Sequence, residues 1–282
     1  MDKPDGPTSH DVVARARRLF GTRAVGHTGT LDPFATGLLI LVFGGATRLA
    51  RFAERHRKTY RAVIRLGVST TTDDRTGAAL EEKTPAAWPA LEVVREALAG
   101  FGGEISQRPP AYSARRIGGE RGYRLARRGS PALGVSGPVT VHAIELLDYQ
   151  PPLVSIRVEV SAGTYVRSLG RDFGECLGTG AHLVELRREA IGPWRVEQAR
   201  PLGELTGREP LLAPRALVDD LPAVALDPDE LRAVMHGRDI PRPGLLEGEA
   251  ALLEGERLVA VARATPLGWH PAVVLASSED DR

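Results

Sequence analysis

Asp32 is the side chain in this sequence best placed to do chemistry. It lies in Gly26-His27-Thr28-Gly29-Thr30-Leu31-Asp32-Pro33, where two glycines let backbone approach a ligand closely and a proline fixes the next φ. An Asp-Pro pair alone is an ordinary turn signal. Its company lifts it, because the loop also carries His27, Thr28 and Thr30 inside a basic stretch of chain. A carboxylate so placed can act as a nucleophile or stabilise a developing cation, provided that it stays ionised. Arg167, two residues after Tyr165 in Tyr165-Val166-Arg167, can pair with a carboxylate and keep it charged. Tyr60, in Lys58-Thr59-Tyr60-Arg61, and Tyr165 each stand beside arginine. A tyrosine in a strand is most often core filler, yet a ring next to guanidinium groups is also how proteins hold an unpaired base.

Other chemistries lack their residues. The seven histidines never fall four apart with a glutamate between, as a zinc-protease helix needs. No glycine-rich phosphate loop, dinucleotide-binding glycine pattern or Gly-x-Ser-x-Gly elbow occurs. One cysteine, Cys176, excludes an intramolecular disulfide, and its place between Phe173 and Leu177 predicts a buried small hydrophobe.

The elements that must position Asp32, Tyr60, Tyr165 and Arg167 follow from periodicity. Thr8 to Asp11 fits a capping box, and Val12, Val13, Ala16, Leu19 and Phe20 then recur at helical spacing up to Gly21. The Gly26–Pro33 stretch reads as an irregular loop. Leu38 to Phe43 is a short apolar run. From Tyr60 to Val68 apolar residues alternate with Arg61 and Arg65, the pattern of a half-buried strand. Residues 70–77 read as a polar turn and 90–99 as a helix. Val139 to Leu147 and Leu153 to Val160 read as strands. Gly163-Thr164-Tyr165 leads into a helix with Val166, Leu169, Phe173 and Leu177 inward, and Leu183 to Arg188 opens another short element. Between them, residues 103–138 hold seven glycines, four prolines and seven arginines with little apolar periodicity, an excursion of the functional kind. After about residue 215 the chain turns acidic, with β-like pieces at 257–263 and 271–275, so a boundary is expected at 215–221.

Composition bounds the rest. With 282 residues, 42% apolar and 26% charged, the chain can build a substantial core. It has no run of 18 apolar residues to cross a membrane and no apolar leader at Met1. A cytoplasmic protein is the simplest expectation. The net charge of +1 conceals a division: residues 1–70 carry +7, 105–130 carry +6 and 201–282 carry −7. Two basic segments in a neutral protein point to a polyanion-facing surface.

Taken in order, the motifs resemble one family, the bacterial TruB-type tRNA pseudouridine synthases. The resemblance rests on Asp2-Lys3-Pro4 with Thr8-Ser9-His10-Asp11, and above all on the run from Gly26 to Leu39 that contains Asp32. Lys58-Thr59-Tyr60, the run Arg108 to Ala114, Gly163 to Leu169 and Gly180 to Arg188 follow. It covers roughly residues 1–200. The sequence begins at Met1-Asp2-Lys3 without the apolar strand usual ahead of that motif, so either its start is assigned too late or the protein does without it.

The resemblance implies a pseudouridine synthase fold: an α/β (α+β) domain around a central, mostly antiparallel mixed sheet, with a small β-rich PUA-like C-terminal domain. The expected division is 1–215, with an RNA-binding insertion at 103–138, and 221–276. The implied reaction isomerises uridine 55 in the T loop of tRNA, with base flipping and without metal or organic cofactor. Carried over, Asp32 is the nucleophile and Tyr60 stacks on the target base. Tyr165 and Leu186 line the base pocket, and Arg167 partners Asp32. His27 fills space vacated by flipped nucleotides, while Lys3 and Pro4 brace the catalytic loop. Arg108, Arg115, Arg116, Arg121, Arg124, Arg127 and Arg128 belong to the insertion expected to close on the RNA. The implied partner is the tRNA T-arm, with a monomeric enzyme needing no other protein and no membrane. Rival expectations are a guide-RNA-dependent synthase of the H/ACA type, a tRNA-folding chaperone, and a small-molecule hydrolase with an Asp nucleophile, the last disfavoured by the basic segments.

Overall fold

The computed structural model describes residues 1–112, 116–117, 120–121, 135–242 and 247–275. Contacts gather the chain into two units. One comprises Met1–Thr8, Leu31–Leu38 and Arg55–Leu202, and the other Ser9–Thr30, Leu39–Glu54 and Gly203–Arg282.

The first unit is built on a sheet whose strands run in the order Asp2–Lys3, Thr36–Leu38, Ala181–Ile191, Lys58–Leu66, Leu153–Val160, Gly137–Gln150, Gly103–Gln107, with Trp194–Arg195 paired to Ala181–Ile191. These pairings are antiparallel except that of Thr36–Leu38 with Ala181–Ile191. The Lys58–Leu66 strand shows why the sequence alternates. Lys58, Tyr60, Ala62, Ile64 and Leu66 are buried, and Arg61 and Arg65 are exposed. Across from it, Val154, Ile156, Val158 and Val160 complete the same buried face. The helix Val166–Cys176 lies against this layer through Val166, Leu169 and Phe173. It comes so close that a Cβ on Gly174 would sit 2.4 Å from the Ala181 Cβ. Cys176, at the open end of this helix beside exposed Glu175, is exposed and not the buried hydrophobe expected from its neighbours.

Gly37 carries the parallel pairing. Its φ is +101°, and a Cβ there would meet the Arg188 carbonyl oxygen at 2.3 Å, so only glycine lets the two backbones approach. Two stretches are more regular than expected. Val25–Thr28 is a strand paired with Ile40–Phe43, although its sequence reads as loop. Gly103–Gln107 pairs with residues 137–141 at the sheet's edge, so strand structure runs into the expected excursion from both sides.

The second unit has two cores. In one, the helix Ser9–Phe20 buries Val13 and Ala16 against Val25, with Leu41 and Phe43 packed alongside. In the other, a five-stranded sheet in the order Ala223–Ala225, Glu249–Glu254, Arg257–Thr265, Gly268–Val274, Ile240–Pro241 packs with the helix Pro228–Met235 around Leu252, Val259 and Trp269. Asp227 caps that helix by accepting from the backbone N–H groups of Asp229 and Glu230. Arg51 pairs with Glu249 at 2.9 Å, and Arg48 donates to the Val274 carbonyl at 2.6 Å.

Candidate active site

Within the first unit, Asp32 meets Arg167 edge-on. Arg167 Nε lies 2.8 Å from Asp32 Oδ2, and Nη2 donates to Oδ1 at 3.1 Å. The two groups differ in access: Asp32 is 33% exposed and Arg167 only 5%. The carboxylate is therefore open to a substrate, while the guanidinium is walled in.

The wall consists of acceptors. Arg167 Nη1 donates to the Thr72 carbonyl at 2.8 Å and lies 3.6 Å from Asp74 Oδ2. Nη2 also donates to the Tyr112 carbonyl at 2.9 Å. Buried Asp74 is itself held, its Oδ1 accepting from the hydroxyls of Thr72 and Thr76 and from the Thr76 backbone N–H. A buried guanidinium needs this many partners, and their directions fix its plane before substrate arrives. Asp74 has no counterpart among the residues singled out from the sequence. Its signal is there, in consecutive carboxylates (Asp73, Asp74) within the threonine-rich turn 70–77.

Asp73 takes a left-handed φ of 59° and pairs with Arg171, one helical turn beyond Arg167, at 3.0 Å. Burial pushes the Asp73 carboxyl above its usual range, opposed by the charges of Arg171 and Arg167. Ser168 and Arg171 donate to the Arg108 carbonyl at 2.8 and 3.0 Å. The helix of Arg167 thus also secures the chain leading into the arginine-rich segment.

Lys3 lies fully buried beneath the Asp32 loop. Its Nζ donates to the carbonyls of Pro4, Pro33 and Ala35 at 2.9, 3.0 and 2.7 Å, so all three ammonium protons go to the chain around Asp32. Desolvation lowers its pKa to about 8, with Asp5 and Asp32 pulling the other way. Pro4 is exposed and takes part through its carbonyl. The loop is pegged further by buried Leu31, Phe34 and Ala35. Alongside, Arg187 holds Asp2 with two bonds of 3.1 and 2.7 Å, tying the first strand to the sheet.

Tyr60 and Leu186 are buried on one face of the sheet, since Leu186 pairs with Ala62, two positions along the strand from Tyr60. Tyr165 is half-buried at the start of the Arg167 helix, its backbone gripped by the side chain of Gln107. His27 belongs to the second unit, on the strand Val25–Thr28, where its ring meets that of His10 edge-on at 5.6 Å. Arg108 is exposed and lies 3.7 Å from Glu175. Arg116 and Arg121 fall in two short paired strands, while Arg115, Arg124, Arg127 and Arg128 lie outside the described residues. Among the described residues no cluster of histidine, cysteine and carboxylate side chains is arranged to hold a metal ion, and no helix is long and apolar enough to cross a membrane.

Comparison with known proteins bears on the family and the fold. Residues 17–166 match the model of the TruB family pseudouridylate synthases, N-terminal domain. A tRNA pseudouridine synthase B of Arthrobacter sp. (strain FB24) is 45% identical over 99% of this chain and 96% of its own. That of Solibacter usitatus (strain Ellin6076) is 42% identical over 98% of both chains. Among solved structures, an H/ACA RNP bound to a substrate RNA containing 2'-deoxyuridine superposes with a TM-score of 0.74, at 26% identity over 98% of this chain and 84% of that one. A Cbf5-Nop10-Gar1 complex gives 0.72 at 28% identity, over 98% and 82%. The fold is thus that of the pseudouridine synthases, with a small β-rich, PUA-like C-terminal part. A near full-length match at this identity, together with the family model over more than half the sequence, leaves one conclusion: the chain belongs to the TruB family of pseudouridylate synthases.

Proposed function

We propose that this protein isomerises uridine 55 in the T loop of tRNA to pseudouridine, with Asp32 as the nucleophile. The observation that carries the reading is the ion pair in which an accessible Asp32 carboxylate is aimed by a buried Arg167. The reaction breaks the bond from N1 of the base to C1' of ribose, turns the base, and joins C5 to C1'. The C5 proton is lost and N1 gains one, so no oxidant, reductant or added group is required. Asp32 supplies the electron pair that makes the base a leaving group, whether it bonds to the sugar or to the ring. The detached base then has to be held, and Tyr60, Tyr165 and Leu186 are the residues assigned to that task. Lys3, with Pro4, keeps the nucleophile's loop in place, and His27 occupies room left by flipped nucleotides.

Extracting a stacked nucleotide costs a few kcal/mol, which contacts elsewhere on the RNA have to offset. The arginine-rich insertion, from Arg108 to Arg128, is the natural source, with residues 1–215 as the catalytic part and 221–276 as a PUA-like accessory to binding. On this reading the enzyme works as a monomer in the cytoplasm, on tRNA itself.

Tritium release from an unmodified tRNA transcript labelled at uridine C5 tests the proposal. Wild type is expected to release one equivalent per tRNA and Asp32→Asn none, while salt-sensitive tRNA binding persists in both. Binding without release by wild type would leave a tRNA-folding chaperone. A second reading, dependence on a guide RNA and accessory proteins, has the likeness to the H/ACA RNP in its favour. Turnover on bare tRNA with no other component decides against it.

A further inference from the structure

Gln107 is a buried amide at the end of the strand Gly103–Gln107, 2% exposed and 58 residues from Tyr165 in sequence. Its Oε1 accepts from the Tyr165 N–H at 2.8 Å, and its Nε2 donates to the Tyr165 carbonyl at 3.0 Å. One side chain thereby meets both backbone groups of one residue, as a neighbouring strand would. Tyr165 stands at the N-terminal boundary of its helix with φ −101° and ψ 108°, and no side chain of its own caps that end. An extended residue there has no helical turn before it to hold it: the following turn reaches its carbonyl through the Leu169 N–H at 3.1 Å, but its N–H depends on an outside partner.

We infer that Gln107 is a positioning residue for turnover, acting through Tyr165 by fixing the backbone from which its ring is aimed at the base. The inference rests on the reading above that places Tyr165 in the base pocket. Arg167 does not depend on the same clamp, because Asp32, Asp74 and the carbonyls of Thr72 and Tyr112 hold its guanidinium. The helix likewise stays tied to the Arg108 carbonyl through Ser168 and Arg171. Loss of the Gln107 amide therefore takes away the partner of the Tyr165 N–H and leaves its carbonyl to the Leu169 N–H alone, and it touches little else.

A double-mutant cycle on the full chain tests this, with the tritiated tRNA transcript as substrate. Gln107→Met keeps the side chain's length and removes both hydrogen bonds. It is expected to lower kcat about tenfold, on the scale that small misplacements of a contacting group produce, with KM for tRNA little changed. In a Tyr165→Ala background the same substitution is expected to cost nothing further. If it costs its full factor there, Gln107 acts elsewhere and the inference is wrong. If Tyr165→Ala alone leaves kcat unchanged, the placement of Tyr165 in the pocket fails, and the inference fails with it for that distinguishable reason. Should Gln107→Met not stay folded at the assay temperature, Gln107→Glu repeats the cycle under the same criterion. It keeps an acceptor for the Tyr165 N–H but offers no donor to the carbonyl.

Discussion

At the scale of single residues, the site separates charge from access: the Asp32 carboxylate proposed to react is open, and the Arg167 and Lys3 groups that hold it in place are buried. Lysine at 167 would keep the positive charge but lose the flat two-point contact with Asp32. Arg167→Lys is expected to slow turnover roughly 10²-fold, as an ångström-scale misplacement does, with the KM for tRNA little altered. Single-turnover tritium release measures the first and a titration the second. Lys3 gives a pH signature. Its folded pKa of about 8 lies below the ordinary 10.5, so between those values the unfolded chain binds more protons than the folded one. The cost of the buried charge is fully present below pH 8 and relieved as pH rises toward 10.5. Wild type should therefore gain stability relative to Lys3→Met over that window, by up to about 1.4 kcal/mol per pH unit. Urea unfolding at pH 7, 8, 9 and 10 checks it, and parallel profiles for the two proteins would sink the idea. Asp32 and Arg167 are legible in the sequence because a glycine-rich loop and an arginine near tyrosine are local signals. Gln107 is not, since its meaning lies in a partner 58 residues away, and Asp74 is only partly so: its turn carries a carboxylate signal, but the arginine that gives it meaning is 93 residues away.

At the scale of elements, legibility follows periodicity. The strand Lys58–Leu66 and its neighbour Leu153–Val160 announce themselves because each has one buried and one more open face. Val25–Thr28 does not, because four residues with a central glycine and histidine carry no alternation, and only its pairing with Ile40–Phe43 makes it a strand. The pairing of Thr36–Leu38 beside the Leu186 strand is equally silent, for it depends on a missing side chain. Gly37→Ala would force a methyl group into the Arg188 backbone at a positive φ. A cost of about 1–3 kcal/mol is expected from the strain alone, more once the strand separates, with activity falling because Asp32 lies five residues away. Chemical denaturation at constant m-value reads the first part and tritium release the second.

At the scale of the whole molecule, charge is sorted along the chain and not balanced within each part. The stretch 105–130 carries +6, and 201–282 carries −7. Affinity for tRNA is expected to fall steeply with salt, and replacing Arg124, Arg127 and Arg128 together by alanine should flatten the slope of log affinity against log salt. The change is roughly 0.7–0.9 for each phosphate contact removed. An unchanged slope in a filter-binding series would place the RNA contacts elsewhere.

The interleaving of the two units has a consequence for how the enzyme comes into being. Leu31–Leu38, which carries Asp32, belongs to one unit, while the segments on either side of it, Ser9–Thr30 and Leu39–Glu54, belong to the unit completed by Gly203–Arg282. A ribosome adding roughly 5–20 residues per second needs on the order of 4–16 s to make those last 80. Throughout that interval the loop that carries Asp32 is flanked by segments whose unit is only partly made: Val13, Ala16, Val25, Leu41 and Phe43 can already pack together, while Arg48 and Arg51 still lack Val274 and Glu249. A message truncated soon after residue 202 therefore yields every residue of the proposed active site without the remainder of the second unit.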